Sequence, residues 1–178
     1  MVRAMGEGLP TDGSVTLRPW SEADAHDLVY CIDGDELIGL WLDQIPQPYT
    51  FADAVAFIGS GAGDAAFAVV DAAAGSLLGG IGVRWNEGGD VAEIGYWTRQ
   101  EVRGRGITTR ALVLATRHAL ERGAARVQLR ADIENLASRR VAEKVGFRTE
   151  GVLRSAHWNP RLGRRQDWVM YSLLPGEL

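Results

Sequence analysis

The chain has 178 residues, 46% apolar and 24% charged, as expected of one soluble domain with a sizeable core. Its single cysteine, Cys31, excludes an internal disulfide, and no apolar run is long enough for a signal peptide or a membrane span, so the expected compartment is the cytoplasm. The net charge of −4 hides a split, with 15 acids and 3 bases in residues 1–93 against 8 acids and 16 bases in residues 94–178; the basic half suits a polyanion, the acidic half a cationic ligand, and nucleic acid is disfavoured by the overall acidity and the lack of a long basic run.

Residues 1–14 read as a flexible leader before a single domain over 15–178. Val15 to Trp20 alternates apolar and polar residues and predicts a first strand. Ser21 with Asp24 three residues on predicts a helix start, continuing through Leu28 and Ile32. Residues 33–49, with acids and two prolines, read as loop or broken helix. Thr50 caps a helix through Val55 and Ile58, ended by Gly59 to Gly63. Three strands follow, over 66–70, 77–85 and 91–98, joined by hairpin-type connectors at 73–75 and 86–90. A glycine-containing loop at 103–106 opens a helix in which Leu112, Ala115, Ala119 and Leu120 recur at helical spacing, and Gly123 stops it. Val127 to Ile133 alternates as a strand. Asn135 opens a further helix that Gly146 ends. Strands return around Val152–Leu153 and over 168–174, with a polar, aromatic loop at 156–164 between them. The order predicts an α+β domain rather than a βαβ repeat.

The segment Arg103-Gly104-Arg105-Gly106-Ile107-Thr108 follows a predicted strand and opens a predicted helix. Glycine lets several N–H groups converge without a Cβ in the way, and the helix dipole adds positive charge at the same place. Arg99, Arg103, Arg105 and Arg110 surround it against one acid, Glu101. This predicts a polyphosphate site; a plain glycine turn with solvated arginines is the alternative. The Lys-Ser/Thr pair of a P-loop is missing, as is the third glycine of a dinucleotide fingerprint.

The Arg103-x-x-Gly106-x-Thr108 arrangement resembles the Arg/Gln-x-x-Gly-x-Gly/Ala signature of GNAT acyltransferases, with threonine at the last position. Glu93-Ile94-Gly95-Tyr96-Trp97 resembles the fourth strand of that family. Asn135-x-x-Ser138, running on to Glu143-Lys144-Val145-Gly146-Phe147, resembles the Rim-type branch, which acetylates protein N-termini and related amines. Leu17-Arg18-Pro19-Trp20 and the closing Trp168-Val169-Met170-Tyr171-Ser172-Leu173 are similar to that branch too. The resemblance implies a curved, mostly antiparallel mixed sheet of about seven strands with about four helices, splayed between the fourth and fifth strands. It implies acetyl-CoA as cosubstrate, without a metal. The pantetheine arm would pair along Tyr96, Trp97 and Thr98, and the pyrophosphate would sit on amides of Arg103, Gly104, Arg105, Gly106, Ile107, Thr108 and Thr109. Asn135 would contact pantetheine, cap its helix, or both.

Amine acylation from a thioester needs a neutral amine, a stabilised oxyanion and a proton for the departing thiolate. Glu93 is the candidate proton acceptor, with a solvent-facing strand carboxylate as the alternative. In the Rim-type branch a serine at the Ser138 position is implied as proton donor to the thiolate, the position four residues later being Ala142 rather than tyrosine; a serine bonded to its own helix is the alternative. Lys144 is expected in solvent on its helix, with reach to a coenzyme phosphate as the alternative. His157 and Trp158 fall in a region that lines the acceptor pocket in this family, or at an exposed hairpin tip. Trp41, Tyr49 and Trp97 are pocket or core residues. Three scattered histidines and one cysteine give no metal-ligand spacing.

The leading expectation is an N-acetyltransferase acting on a primary amine, small molecule or protein N-terminus, by direct attack in a ternary complex. The charge split predicts a cationic acceptor. The alternatives are another acyl donor such as succinyl-CoA, a non-catalytic acyl-CoA-binding or regulatory module, and a nucleotide or nucleic-acid binder. No membrane or nucleic-acid partner is expected, and a homodimer is compatible.

Overall fold

Strands with alternating apolar residues, and helices with one apolar stripe, leave a single arrangement that buries both: helices packed on a sheet. The computed structural model describes residues 9–60 and 66–178. Its strands are β1 (Val15–Pro19), β2 (Ala66–Asp71), β3 (Leu77–Trp85), β4 (Val91–Thr98), β5 (Arg126–Asp132), β6 (Arg148–Asn159) and β7 (Arg164–Leu173). They form one seven-stranded sheet in the order β1-β2-β3-β4-β5-β7-β6. All neighbours are antiparallel except β4 and β5. The α+β class and the mixed sheet therefore agree with the sequence reading.

Among the described residues five α-helices flank the sheet rather than four: α1 (Ala25–Ile32), α2 (Glu36–Trp41), α3 (Phe51–Gly59), α4 (Ile107–Glu121) and α5 (Leu136–Val145). The additional one is α2, in the stretch read as loop or broken helix. Asp35 starts it by accepting from the backbone N–H groups of Leu37 and Ile38 at 3.0 and 3.1 Å. Thr50 and Asp53 form a reciprocal capping box on α3. Part of the expected leader is ordered as well. Thr11 bridges Thr16, Asp12 caps the turn into β1 through the N–H groups of Ser14 and Val15, and its carboxylate meets Arg110 of α4 at 2.7 Å. Residues 1–8, and residues 61–63 of the expected glycine stop after α3, lie outside the described residues.

The main core lies between one sheet face and helices α4 and α5. Ala92 and Ile94 of β4, Val127, Leu129 and Ala131 of β5, and Val169, Tyr171 and Leu173 of β7 point into it. Alternate residues of the same strands, among them Glu93, Trp97, Arg130, Asp132, Gln166 and Trp168, therefore occupy the opposite face. That second face carries α1, α2 and α3, packed around Leu28, Ile32, Ile38, Tyr49 and Ala54. Tyr49 is thus core rather than pocket.

The expected loop at 156–164 is mostly strand. β6 and β7 form a long hairpin, with His157 paired to Gln166 and Asn159 to Arg164 across it, and only residues 160–163 turn. His157 and Trp158 consequently belong to β6 and not to a hairpin tip. Asn159 donates to the carbonyl of Leu40 at 2.9 Å and Arg161 to that of Ile45 at 2.6 Å, so the hairpin is stitched to α2 and the segment after it.

Candidate active site

β4 and β5 pair over three positions only, Val91 with Arg126, Ala92 with Val127 and Glu93 with Gln128. Beyond them β4 stays with β3 as far as Thr98, and β5 stays with β7 as far as Asp132. The two strands separate into a V, and the backbone groups of β4 from Ile94 to Thr98 that would have paired with β5 are left facing it. A cleft of about 740 Å³ occupies this gap. Because the gap passes through the sheet, residues of both faces reach one cavity. Tyr96 and Ser138 come from the α4–α5 side, Glu93 and Trp97 from the side of α1 and α2.

The cleft brings together most of the residues expected from sequence. Glu93, Tyr96, Trp97 and Thr98 line it from β4, Arg103, Gly104, Gly106, Thr108 and Thr109 from the loop and first turn of α4, and Asn135 and Ser138 from α5. Two expected residues have their side chains elsewhere. Ile107 packs on the main core, and Arg105 is exposed beside the cleft, so each could serve a ligand's phosphate through its N–H or, for Arg105, by a reach through solvent.

The loop is shaped as the glycines demand. Gly104 and Gly106 have φ of 78° and 79°, a region costly for residues with a Cβ, and Gly106 is the N-cap of α4. The first N–H groups of α4 have no helical partner and are turned to the cleft mouth. Thr108, where the resembling signature has a small residue, shares a 2.6 Å hydrogen bond with the hydroxyl of Thr98 and ties the helix start to the end of β4. The arginines divide their work. Arg103 donates to the Thr98 carbonyl at 3.1 Å and forms an ion pair with buried Asp35, Arg99 pairs with Glu101, and Arg110 with Asp12. Arg105, together with Arg140 and Lys144 of α5 on the cleft wall, makes no ion pair among the described residues. Lys144 is exposed, as expected, and also lines the cleft wall, within the alternative that it reaches a ligand's phosphate.

Asn135 caps α5 by accepting from the N–H of Ser138 at 3.1 Å, leaving its amide N–H₂ available. The Ser138 hydroxyl does not bond back into its own helix; it lies 2.9 Å from the hydroxyl of Tyr96, which also contacts the Ser138 carbonyl at 3.2 Å. Burial pushes the Tyr96 phenol up to about 12, so it stays protonated through the neutral range. This tyrosine comes from the strand, and sequence reasoning, which looked for one on the helix, credited Tyr96 with backbone contacts alone.

Glu93 is engaged on both oxygens. Arg130 donates to it at 2.5 Å and Gln128 at 3.1 Å, with Arg84 at 3.5 Å. Accepting a proton would break that network. The far end of the cleft holds Trp41 and His157, both pocket candidates from sequence, together with Asp43 after α2 and Gln166 and Trp168 of the hairpin, to which sequence reasoning gave no role in the site. Nothing local in Leu42-Asp43-Gln44 marks Asp43; it acquires a partner only through the tertiary seam.

Comparison with known proteins agrees with this geometry. Residues 14–148 match the model of the acetyltransferase (GNAT) domain. The chain belongs to the GNAT family. A curated relative, the Bacillus subtilis (strain 168) protein named "Putative ribosomal N-acetyltransferase YdaF", is 40% identical over 87 residues. That match spans 48% of this chain and about half, 46%, of the relative. A GNAT-family acetyltransferase from Bacillus anthracis superposes with a TM-score of 0.82 at 20% identity, over 90% of this chain and 95% of that one. RimL, a ribosomal L7/L12 alpha-N-protein acetyltransferase solved with coenzyme A, superposes with a TM-score of 0.78 at 20% identity, over 93% and 97%. These two likenesses establish the GNAT fold.

Proposed function

We propose that this GNAT chain transfers an acetyl group from acetyl-CoA to a primary amine by direct attack within the cleft. The observation that carries the reading is the splayed β4–β5 gap, which joins a glycine-cradled helix N-terminus on one side to a buried Tyr96–Ser138 hydroxyl pair on the other. The residues suit acetyl-CoA. The open backbone edge of β4 offers ladder-type bonds to the pantetheine amides, and the α4 N-terminus offers N–H groups and dipole to the pyrophosphate. Arg105, Arg140 and Lys144 supply unpaired positive charge for the phosphates.

Proton transfer in this reading runs from Ser138 to the sulfur. When the single Tyr96 hydroxyl proton is directed to Ser138 Oγ rather than to the Ser138 carbonyl, the serine hydrogen is free to point into the cleft, and the polarised hydroxyl protonates the thiolate as it leaves. The attacking ammonium must lose a proton first. Glu93 is the carboxylate expected for this, but with both oxygens occupied its part is to fix Arg130 and Gln128 at the acceptor side. A protein or peptide N-terminus is the favoured acceptor class, since both the curated relative and RimL carry N-acetyltransferase names tied to ribosomal substrates.

The test is a thiol-release screen using acetyl-CoA and succinyl-CoA against small amines and short peptides with free N-termini. Amine-dependent release with acetyl-CoA is expected. Acetyl-CoA binding with no release from any amine would favour the non-catalytic module instead.

A further inference from the structure

The acceptor end of the cleft contains a histidine–carboxylate pair that spans two distant parts of the chain. His157 Nε2 of β6 lies 2.9 Å from Asp43 Oδ2, and the Asp43 side chain is 11% exposed. The His157 ring stacks on Trp168 with centroids 4.9 Å apart and planes 20° apart, and the same indole carries the Arg130 guanidinium at 4.7 Å. Packing on one side and the carboxylate on the other hold the imidazole in one orientation. Nδ1 has no hydrogen-bond partner among the described residues. Beside it, across the hairpin, Gln166 is 4% exposed and its amide nitrogen also has no partner. A buried amide donor without an acceptor is costly unless a ligand or water supplies one.

We propose that His157 takes the proton from the acceptor's ammonium, that Asp43 is the positioning residue that fixes its tautomer, and that Gln166 donates to a carbonyl or hydroxyl oxygen near the amine. This deepens the acetyltransferase reading and rests on it. With Asp43 accepting from Nε2–H, Nδ1 carries the lone pair. The ammonium gives one proton to Nδ1, and the free amine attacks the thioester carbon. As the C–N bond forms and the C–S bond breaks, Ser138 gives its proton to the sulfur and is restored by the second proton lost from the nitrogen. The imidazolium, paired with Asp43, then returns its proton to water. The net release is one proton per amide made, and no further reactant is needed. The acceptor class follows: a primary amine with an oxygen acceptor a few bonds away, as at a peptide N-terminus, in preference to a plain alkylamine.

The charged groups around this pair are few. Asp43 faces it from the segment after α2, Arg130 and Asp132 from β5 flank Trp168, Glu93 stands on β4 with its oxygens held by Arg130 and Gln128, and Arg161 is spent on the Ile45 carbonyl. The alternative is a purely structural ion pair closing the α2–hairpin seam, and a pH profile separates the two.

The experiment measures kcat/KM against pH with acetyl-CoA and a short peptide amide with a free N-terminus, in parallel with butylamine, for the parent chain, His157→Gln, Asp43→Asn, Gln166→Leu and Glu93→Gln. In His157→Gln, kcat/KM is expected to fall about 10²-fold or more with loss of its acidic limb, partial rescue by added imidazole, and unchanged acetyl-CoA affinity by calorimetry. Asp43→Asn and Glu93→Gln are expected to slow the reaction and keep an acidic limb. Gln166→Leu is expected to raise KM for the peptide and not for butylamine. Loss of the limb in Glu93→Gln, with its survival in a folded His157→Gln, overturns the assignment while leaving acetyl transfer intact. Absence of thiol release in a parent chain that binds acetyl-CoA overturns the acetyl-transfer reading and this assignment with it.

Discussion

Tyr96 illustrates how one side chain can serve core and chemistry together. It packs on the main core and reaches Ser138 through its hydroxyl, at a sequence separation of 42 residues. Tyr96→Phe keeps the ring and removes the bond. A hydrogen bond of this kind contributes roughly 0.5–1.5 kcal/mol, so steady-state turnover is expected to drop by up to about tenfold with acetyl-CoA affinity unchanged. Because burial holds the phenol up at about 12, any alkaline limb of turnover below pH 11 belongs to another group and should persist in Tyr96→Phe. The place of Ser138 in the cleft was legible because Asn135-x-x-Ser138 is a local pattern on one helix turn. Its partner was not, because strand parity tells which face Tyr96 occupies and not which helix residue lies across from it. Asp43, and with it the partner of His157, was hidden for the same reason, the pairing bridging 114 residues.

At the scale of elements, the phosphate loop is held from two directions. Gly106 has φ of 79°, and a Cβ built there would meet nothing within 4 Å, so substitution costs backbone strain and not space. Gly106→Val is expected to lose most acetyl-CoA affinity by calorimetry while retaining the fold, since left-handed backbone costs about 1–2 kcal/mol for a residue with a Cβ. Unchanged affinity in a folded Gly106→Val would remove the loop from the site. Asp35 holds the loop from the other direction, pairing with Arg103 while it caps α2. Asp35→Ala removes both at once. An N-cap alone contributes about 0.5–2 kcal/mol, so thermal unfolding should shift down by several degrees, with a higher KM for acetyl-CoA as Arg103 is released. Helix α2 escaped the sequence reading because its two turns lie between acids and prolines. The extension of the β6–β7 hairpin through 156–164 escaped it because that polar, aromatic stretch lacks alternation, and pairing alone makes it strand.

Over the whole molecule, charge and burial act differently. The acidic half of the sequence does not form an acidic wall: among the described residues up to 93, only Asp43 and Glu93 of the acids line the cleft. Any preference for cationic acceptors is therefore expected from those two groups at short range, with weak dependence on salt. Burial has a clearer global consequence. It pushes Cys31 from 9.0 up to about 11, and Tyr49 and Tyr96 from 10.0 up to about 12. A group raised in the folded state contributes stability below its unfolded value and loses it as pH rises through the folded one. Thermal unfolding followed by circular dichroism should therefore hold steady up to about pH 9 and fall between 9 and 12. Cys31→Ala should remove the earliest part of that fall. The fold class was legible because helical and strand periodicities alternate along the chain. The strand order was less so, since inserting β7 between β5 and β6 depends on contacts made at long range. The central claim, that the β4–β5 cleft carries acetyl transfer with Ser138 protonating sulfur, is tested most directly by amine-dependent thiol release from Ser138→Ala at saturating acetyl-CoA. A loss of about 10²–10⁴-fold in turnover with acetyl-CoA affinity preserved is the expected result, and turnover equal to that of the parent chain would contradict it.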